Sequence, residues 1–152
     1  MTWNLEGIKR NIFTLNHFLS QSSADLIFLS EPNIFSHDLD QLKHHFDDKY
    51  NFYLNSEDKF DNESPFYKNR TFGGTMALWK HGLDPHITIH PPSTTSFLPV
   101  IFSPPGSPVT VHIGVYLPTS GQENQFVEQL LELRDTAEGL REKYPNSLIY
   151  IR

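Results

Sequence analysis

The sequence contains no cysteine, which excludes disulfides, thiolate zinc sites and a cysteine nucleophile but leaves the cellular compartment open. Long apolar runs are missing as well. No stretch approaches the roughly 18 residues of a membrane helix, and no charged-then-apolar leader opens the chain, so a soluble intracellular protein without membrane contact is expected. Positive charge is scarce: 12 Lys and Arg stand against 18 Asp and Glu, a formal net charge of −6. Such a balance gives no basic footprint for nucleic acid. If the protein handles phosphates, a metal ion or a local patch must neutralise them. A phosphate-binding loop, a Gly-x-Ser-x-Gly elbow, a Ser-His-Asp order and internal repeats are absent too. Asn62-Glu63-Ser64 and Asn69-Arg70-Thr71 fit the glycosylation pattern, but without an entry signal they read as chance.

What is present suffices for one domain. With 152 residues, 38% hydrophobic and 13% aromatic, the chain can build a real core. Its organising stretch is Ala24-Asp25-Leu26-Ile27-Phe28-Leu29-Ser30-Glu31-Pro32-Asn33. Four consecutive apolar residues between polar ones predict a strand buried on both faces. Pro32 cannot donate to a ladder, so pairing should end there and leave Glu31 at the carboxyl end of the strand. A carboxylate at such a loop mouth suits a hard cation, although taken alone it is more often a solvated strand-end acid.

Ahead of it, residues 1–7 read as the last residues of a strand running into a glycine turn, opening so soon that an edge of the sheet is expected to be missing. Ile8, Ile12, Leu15, Phe18 and Leu19 recur at helical spacing through about residue 21. Strand, helix, strand then favours a parallel pair. Beyond Glu31, Leu39, Leu42 and Phe46 mark a shorter helix over 38–49, with Asp38, Asp40, Asp47 and Asp48 on a solvated face. Residues 50–54 form a strand, 55–70 an exposed polar loop, and 73–80 a strand opened by Gly73-Gly74. Strands over 86–90, 96–102 and 109–117 follow, sequential and antiparallel. A helix over 124–143 carries Phe126, Leu130, Leu133, Ala137 and Leu140 on one stripe, and a last strand begins at Leu148. The packing that suits these elements is a four-layer α+β sandwich, two mixed sheets flanked by helices and incomplete at both ends.

Trp3-Asn4-x-x-Gly7, the strand ending Leu29-Ser30-Glu31, Gly73-Gly74 opening a strand, and Tyr116-Leu117-Pro118 stand in an order that resembles the endonuclease/exonuclease/phosphatase superfamily. Within it the chain is most similar to the endonuclease domain of non-LTR retrotransposons, which precedes a reverse transcriptase and is related to abasic-site endonucleases. The resemblance covers nearly the whole chain as one partial domain, 1–152. It implies that Glu31 binds the catalytic divalent ion, normally Mg²⁺, that Asn4 hydrogen-bonds near the metal and the scissile phosphate, and that Tyr116 reaches the phosphate or assists the attacking water. Without the resemblance, Asn4 reads as a turn residue and Tyr116 as core packing. DNA is the partner the family implies; no protein partner is identifiable.

Departures from the family pattern bear on activity. Thr119 stands where abasic-site members have a phosphate-touching asparagine, and the resemblance keeps it as a phosphate-binding residue that can still donate one hydrogen bond, with less reach; Ser30 stands where a glutamine is common. Gly-Asp-x-Asn and Ser-Asp-His, the family's later motifs, do not occur. The resemblance assigns them the general base and a main phosphate donor, worth about 10² to 10⁴ and 10² to 10³ in rate. The chain alone is therefore expected to be close to inactive. Three readings stay open: a fragment of a Mg²⁺-dependent DNA endonuclease, a non-catalytic remnant, and a related phosphodiesterase or phosphatase acting on lipid, inositol phosphate or RNA. Zinc is not expected from His86 and His90 or from His37, His44 and His45, because neither set shows a helical i, i+4 pair or a compact quartet.

Overall fold

The parallel pair anticipated at the start of the chain is formed: β1 (Thr2–Asn4) lies beside β2 (Leu26–Ser30), with α1 (Ile8–Gln21) as the crossover. The computed structural model describes residues 1–46, 49–56, 73–117 and 123–152. On the other side of β2 runs β4 (Thr75–Lys80), antiparallel to it, and β3 (Tyr50–Asn55) pairs antiparallel with β4. The first sheet is therefore mixed, in the order β1-β2-β4-β3. A second sheet, also mixed, has the order β5-β6-β7-β8, made of Ile87–Ile89, Phe97–Phe102, Thr110–Val115 and Leu148–Ile151. Its first three strands are antiparallel neighbours, whereas β7 and β8 are parallel and bridged by α3 (Glu123–Lys143).

Side chains along β2 show why a continuous apolar run was needed. Ile27 and Leu29 point to an outer core shared with Ile8, Ile12, Leu15 and Leu19 of α1 and with Leu42 and Phe46 of α2 (Leu39–Phe46). Phe28 points the other way, into the layer between the sheets with Ala77, Leu98 and Val100. A third core packs Phe97, Ile101, Val111 and Ile113 under Leu133 and Leu140 of α3. Helix, sheet, sheet, helix is the four-layer sandwich expected from the element pattern. The sheets approach closely at Gly114, where an added Cβ would lie 2.3 Å from Phe28 Cδ1.

Several expectations are corrected in detail. The helix expected over 38–49 is a 3-10 turn, Ser36–Asp38, followed by the shorter α2. Asp38 is not on a solvated face: its side chain is only 16% exposed and accepts from Lys9 Nζ at 2.7 Å. Asp40 is exposed and pairs with Lys43, while Asp47 and Asp48 lie outside the described residues. His86 belongs to a 3-10 helix, His81–His86, and not to the following strand. In α3 only the later half of the apolar stripe is covered, leaving Phe126 and Leu130 exposed. Asn55 and Ser56, expected in an exposed loop, are buried, and residues 57–72 of that loop lie outside the described residues.

Candidate functional site

Pro32 ends β2 as its missing N–H requires, and the chain turns at Glu31 through a left-handed conformation, φ 52°. Two hydrogen bonds fix that turn: Glu31 N–H donates to Gly74 O at 3.1 Å, and Glu31 O accepts from Gly7 N at 2.8 Å. The neighbouring bonds from Leu5 N to Ser30 O, 2.9 Å, and from Ile8 N to Pro32 O, 2.8 Å, stitch the turn after β1 to the turn after β2. Glu6 and Asn33 are also left-handed, at φ 49° and 48°. Such a backbone costs a non-glycine residue about 1 to 2 kcal/mol, so three in two adjoining turns mark a place where shape is held against local preference. Gly74 has φ 83°, and a Cβ there would sit 3.0 Å from Asn55 O, so this close approach requires glycine.

Tyr116 follows directly on β7 in the second sheet. Its N–H donates to Ser96 O at 2.8 Å, extending the β6–β7 pairing by one step, and its hydroxyl donates to Glu31 Oε1 at 2.5 Å. A phenol on a carboxylate at this distance is a charge-assisted bond, and it joins the two sheets at their common end. Among the described residues Glu31 Oε2 has no protein partner. Asn4 ends β1 opposite Ser30, one register step from Glu31. Its Oδ1 accepts from Glu6 N at 3.1 Å, the turn role, while its exposed amide donors are unused among the described residues. The structure thus places Glu31 and Tyr116 in direct contact and Asn4 on the adjoining strand end. Thr119 lies outside the described residues.

The donor set discriminates between ions. No three His, Asp or Glu side chains come together among the described residues, so neither a zinc quartet nor an all-protein calcium cage is formed there. Mg²⁺ prefers one or two carboxylates, several waters and substrate phosphates. Glu31, with one oxygen held by a phenol and the other unpartnered, fits that mode. His37 stacks on Phe35 at 5.1 Å and His45 Nδ1 lies 3.0 Å from Asn16 Nδ2, so both rings have structural roles. His112 on β7 is half-buried against Tyr150, and burial pushes its pKa down, helped by Arg152 and the N-terminal ammonium.

Sequence reasoning missed two polar residues beneath this site. Asn55 is 0% and Thr75 2% exposed, and they are register partners at the ends of β3 and β4. Their only trace in the sequence was a polar residue at a strand end, which elsewhere means solvent.

No family model matches the sequence, and no curated protein does. Solved structures match the fold. TDP2 from C. elegans superposes with a TM-score of 0.62 at 15% identity, covering 97% of this chain and 44% of that one. D. rerio TDP2 complexed with single strand DNA product gives 0.58 at 14%, covering 99% and 57%. The 3'-5' exonuclease NExo from Neisseria meningitidis gives 0.61 at 11%, covering 99% and 55%. The chain thus spans about half the length of these structures. At these identities the likeness is one of fold, a four-layer α/β sandwich of two mixed sheets flanked by helices.

Proposed function

We propose that these 152 residues are part of a Mg²⁺-dependent phosphodiesterase of the endonuclease/exonuclease/phosphatase superfamily, acting on DNA inside the cell and of the non-LTR retrotransposon endonuclease type. The observation that carries this reading is the Tyr116 hydroxyl on Glu31 Oε1, 2.5 Å, at a mouth where strand ends of both sheets meet. Support comes from the fold shared with TDP2 and NExo, solved structures of which hold a single strand DNA product and a product DNA hairpin. The sequence features that resemble retrotransposon endonucleases narrow the type.

In this reading Glu31 would hold the ion, Asn4 would serve the phosphate, and Tyr116, whose hydroxyl hydrogen lies on Glu31 Oε1, orients the carboxylate beside them. When bound, Mg²⁺ supplies charge stabilisation at phosphate oxygens. The Tyr116 hydroxyl restrains the Glu31 carboxylate by occupying Oε1, so the free oxygen is presented in one orientation. Asn4, one register step from Glu31, would offer its amide hydrogens to an anionic phosphate oxygen. The base and the second phosphate donor of the family motifs have no counterpart in this sequence, so the 152 residues by themselves bind without turning over. His112 does not replace them: it lies back along β7, its Nε2 3.1 Å from Thr110 Oγ1.

The test pairs binding with turnover. Mg²⁺ titrated into the 15N,13C-labelled chain is expected to shift the Glu31 side-chain and Tyr116 resonances, and Glu31→Gln to abolish the response. Mg²⁺-dependent nicking of supercoiled plasmid is expected from neither chain. Absence of any response at Glu31 would overturn the metal assignment, and efficient nicking by the unmutated chain would overturn the assignment of the base to motifs it lacks.

A further inference from the structure

Four successive backbone carbonyls, the last three of the connection between β5 and β6 and the first of β6, are all engaged, and the pattern leads to the site. Asn55 Nδ2 lies 2.7 Å from Thr94 O and 3.2 Å from Phe97 O. Thr75 Oγ1 donates to Thr95 O at 3.1 Å and accepts from Asn55 Nδ2 at 3.3 Å. The remaining carbonyl, Ser96 O, accepts the Tyr116 N–H. Two buried side chains of the first sheet therefore grip the turn of the second sheet on both sides of the atom that positions Tyr116. Thr75 also follows Gly74, whose carbonyl holds the Glu31 N–H, and it is the register partner of Ser30. Both partners of the Tyr116–Glu31 bond are anchored within one residue of what this pair holds.

We propose that Asn55 and Thr75 are positioning residues that set the Tyr116 hydroxyl against the Glu31 carboxylate by gripping residues 94–97. A purely space-filling role does not account for them. Among the described residues Asn55 Oδ1 is buried without a partner, a destabilising feature that an aliphatic side chain of similar volume would not have. The amide is explained by what its two hydrogens hold. The Tyr116 N–H is tied to Ser96 within its own sheet, and the β6–β7 ladder runs wholly within that sheet, whereas Asn55 and Thr75 reach the turn from the first. The register between the sheets at the mouth is supplied by this buried pair.

What the Tyr116–Glu31 contact does chemically rests on the function proposed above; that Asn55 and Thr75 set the contact does not. Thr75→Val keeps shape and removes the hydroxyl, Thr75→Ser restores it, and Asn55→Ala removes both amide donors. The three variants and the unmutated chain are compared by the nuclear Overhauser effect between the Tyr116 ring and the Glu31 side chain, by Mg²⁺ affinity at Glu31, and by melting temperature. Thr75→Val and Asn55→Ala are expected to lose the Tyr116–Glu31 effect and to bind Mg²⁺ about tenfold more weakly, as loss of supporting hydrogen bonds around a ligand typically does. Thr75→Ser is expected to keep both. If Thr75→Val melts lower yet retains the contact and the affinity, the pair is structural only and the proposal is overturned. If Asn55→Ala does not fold, the Thr75 pair decides. If the unmutated chain takes up no Mg²⁺, the proposed function fails, and the Tyr116–Glu31 effect across the series still decides the positioning role.

Discussion

Each sheet contains one parallel strand pair bridged by a helix, β1 and β2 by α1, β7 and β8 by α3, yet the two bridges are used differently. In α1 the four positions Ile8, Ile12, Leu15 and Leu19 are buried along its whole length, Phe13 alone of its apolar residues being strongly exposed at 83%, and α2 seals the same core. In α3 only Leu133 and Leu140 are buried, while Phe126, Val127, Leu130 and Leu131 of its first half are exposed together with Leu148 and Ile151 of β8. Matching topology therefore does not bring matching cover. The lesson concerns where the site can be built: Glu31 leaves a strand clamped on both faces, whereas Tyr116 leaves the less covered sheet and must be tied across to the first.

The largest effect expected from this asymmetry is on stability. Leu15→Ala, at a residue with 0% exposure, should cost about 2 to 5 kcal/mol in denaturant unfolding, because it removes buried contacts and leaves a cavity. A loss below that of an exposed substitution in α3 would break the comparison. Next comes the seam between the sheets. Gly114→Ala places a methyl against the Phe28 ring and should cost about 1 to 3 kcal/mol, because the ring is enclosed among Ala77, Leu98 and Val100 and has little room to yield. If the variant is as stable as the unmutated chain, the sheets are free to slide at the point where the site needs them fixed.

How much of this was legible in the sequence depends on distance along the chain. The β1–α1–β2 crossover followed from helical spacing between two apolar runs, and Glu31 was placed at a strand mouth by Pro32 alone. Tyr116 is 85 residues away from Glu31, and nothing in periodicity relates them; only the order of motifs suggested that they meet. Asn55 reads as the start of a polar loop, yet it is fully buried because its partners, 39 and 42 residues further on, are backbone carbonyls without any sequence signature. The stripe in α3 failed for the converse reason: spacing shows that a helix has an apolar face, not how far a sheet extends beneath it.

A smaller effect sharpens the comparison through pH. Burial, Arg152 and the N-terminal ammonium lower the pKa of His112, and burial and Lys143 lower that of His90. In the unfolded chain these rings titrate near the ordinary value of 6.5. Below it the unfolded state binds the protons first, so stability is full above pH 6.5 and declines as pH falls toward the depressed folded values. His112→Gln should flatten that decline in urea midpoints measured across the window. If the slope is unchanged, the stacked ring against Tyr150 does not resist protonation.

The smallest effect belongs to the uncovered half of α3. Leu130 is 41% exposed, so Leu130→Gln gives up little buried apolar area and replaces one good helix former with another. Its change in unfolding free energy should stay within about 0.5 kcal/mol, the range of ordinary surface substitutions. Leu133→Ala, one turn further on at a residue 7% exposed, should by contrast cost about 2 kcal/mol or more. The contrast within one helix removes differences of chain length and secondary structure from the comparison of α1 with α3, leaving only the sheet beneath. Equal effects at Leu130 and Leu133 would mean that the early half of α3 is covered in solution, and the asymmetry between the two bridges would disappear.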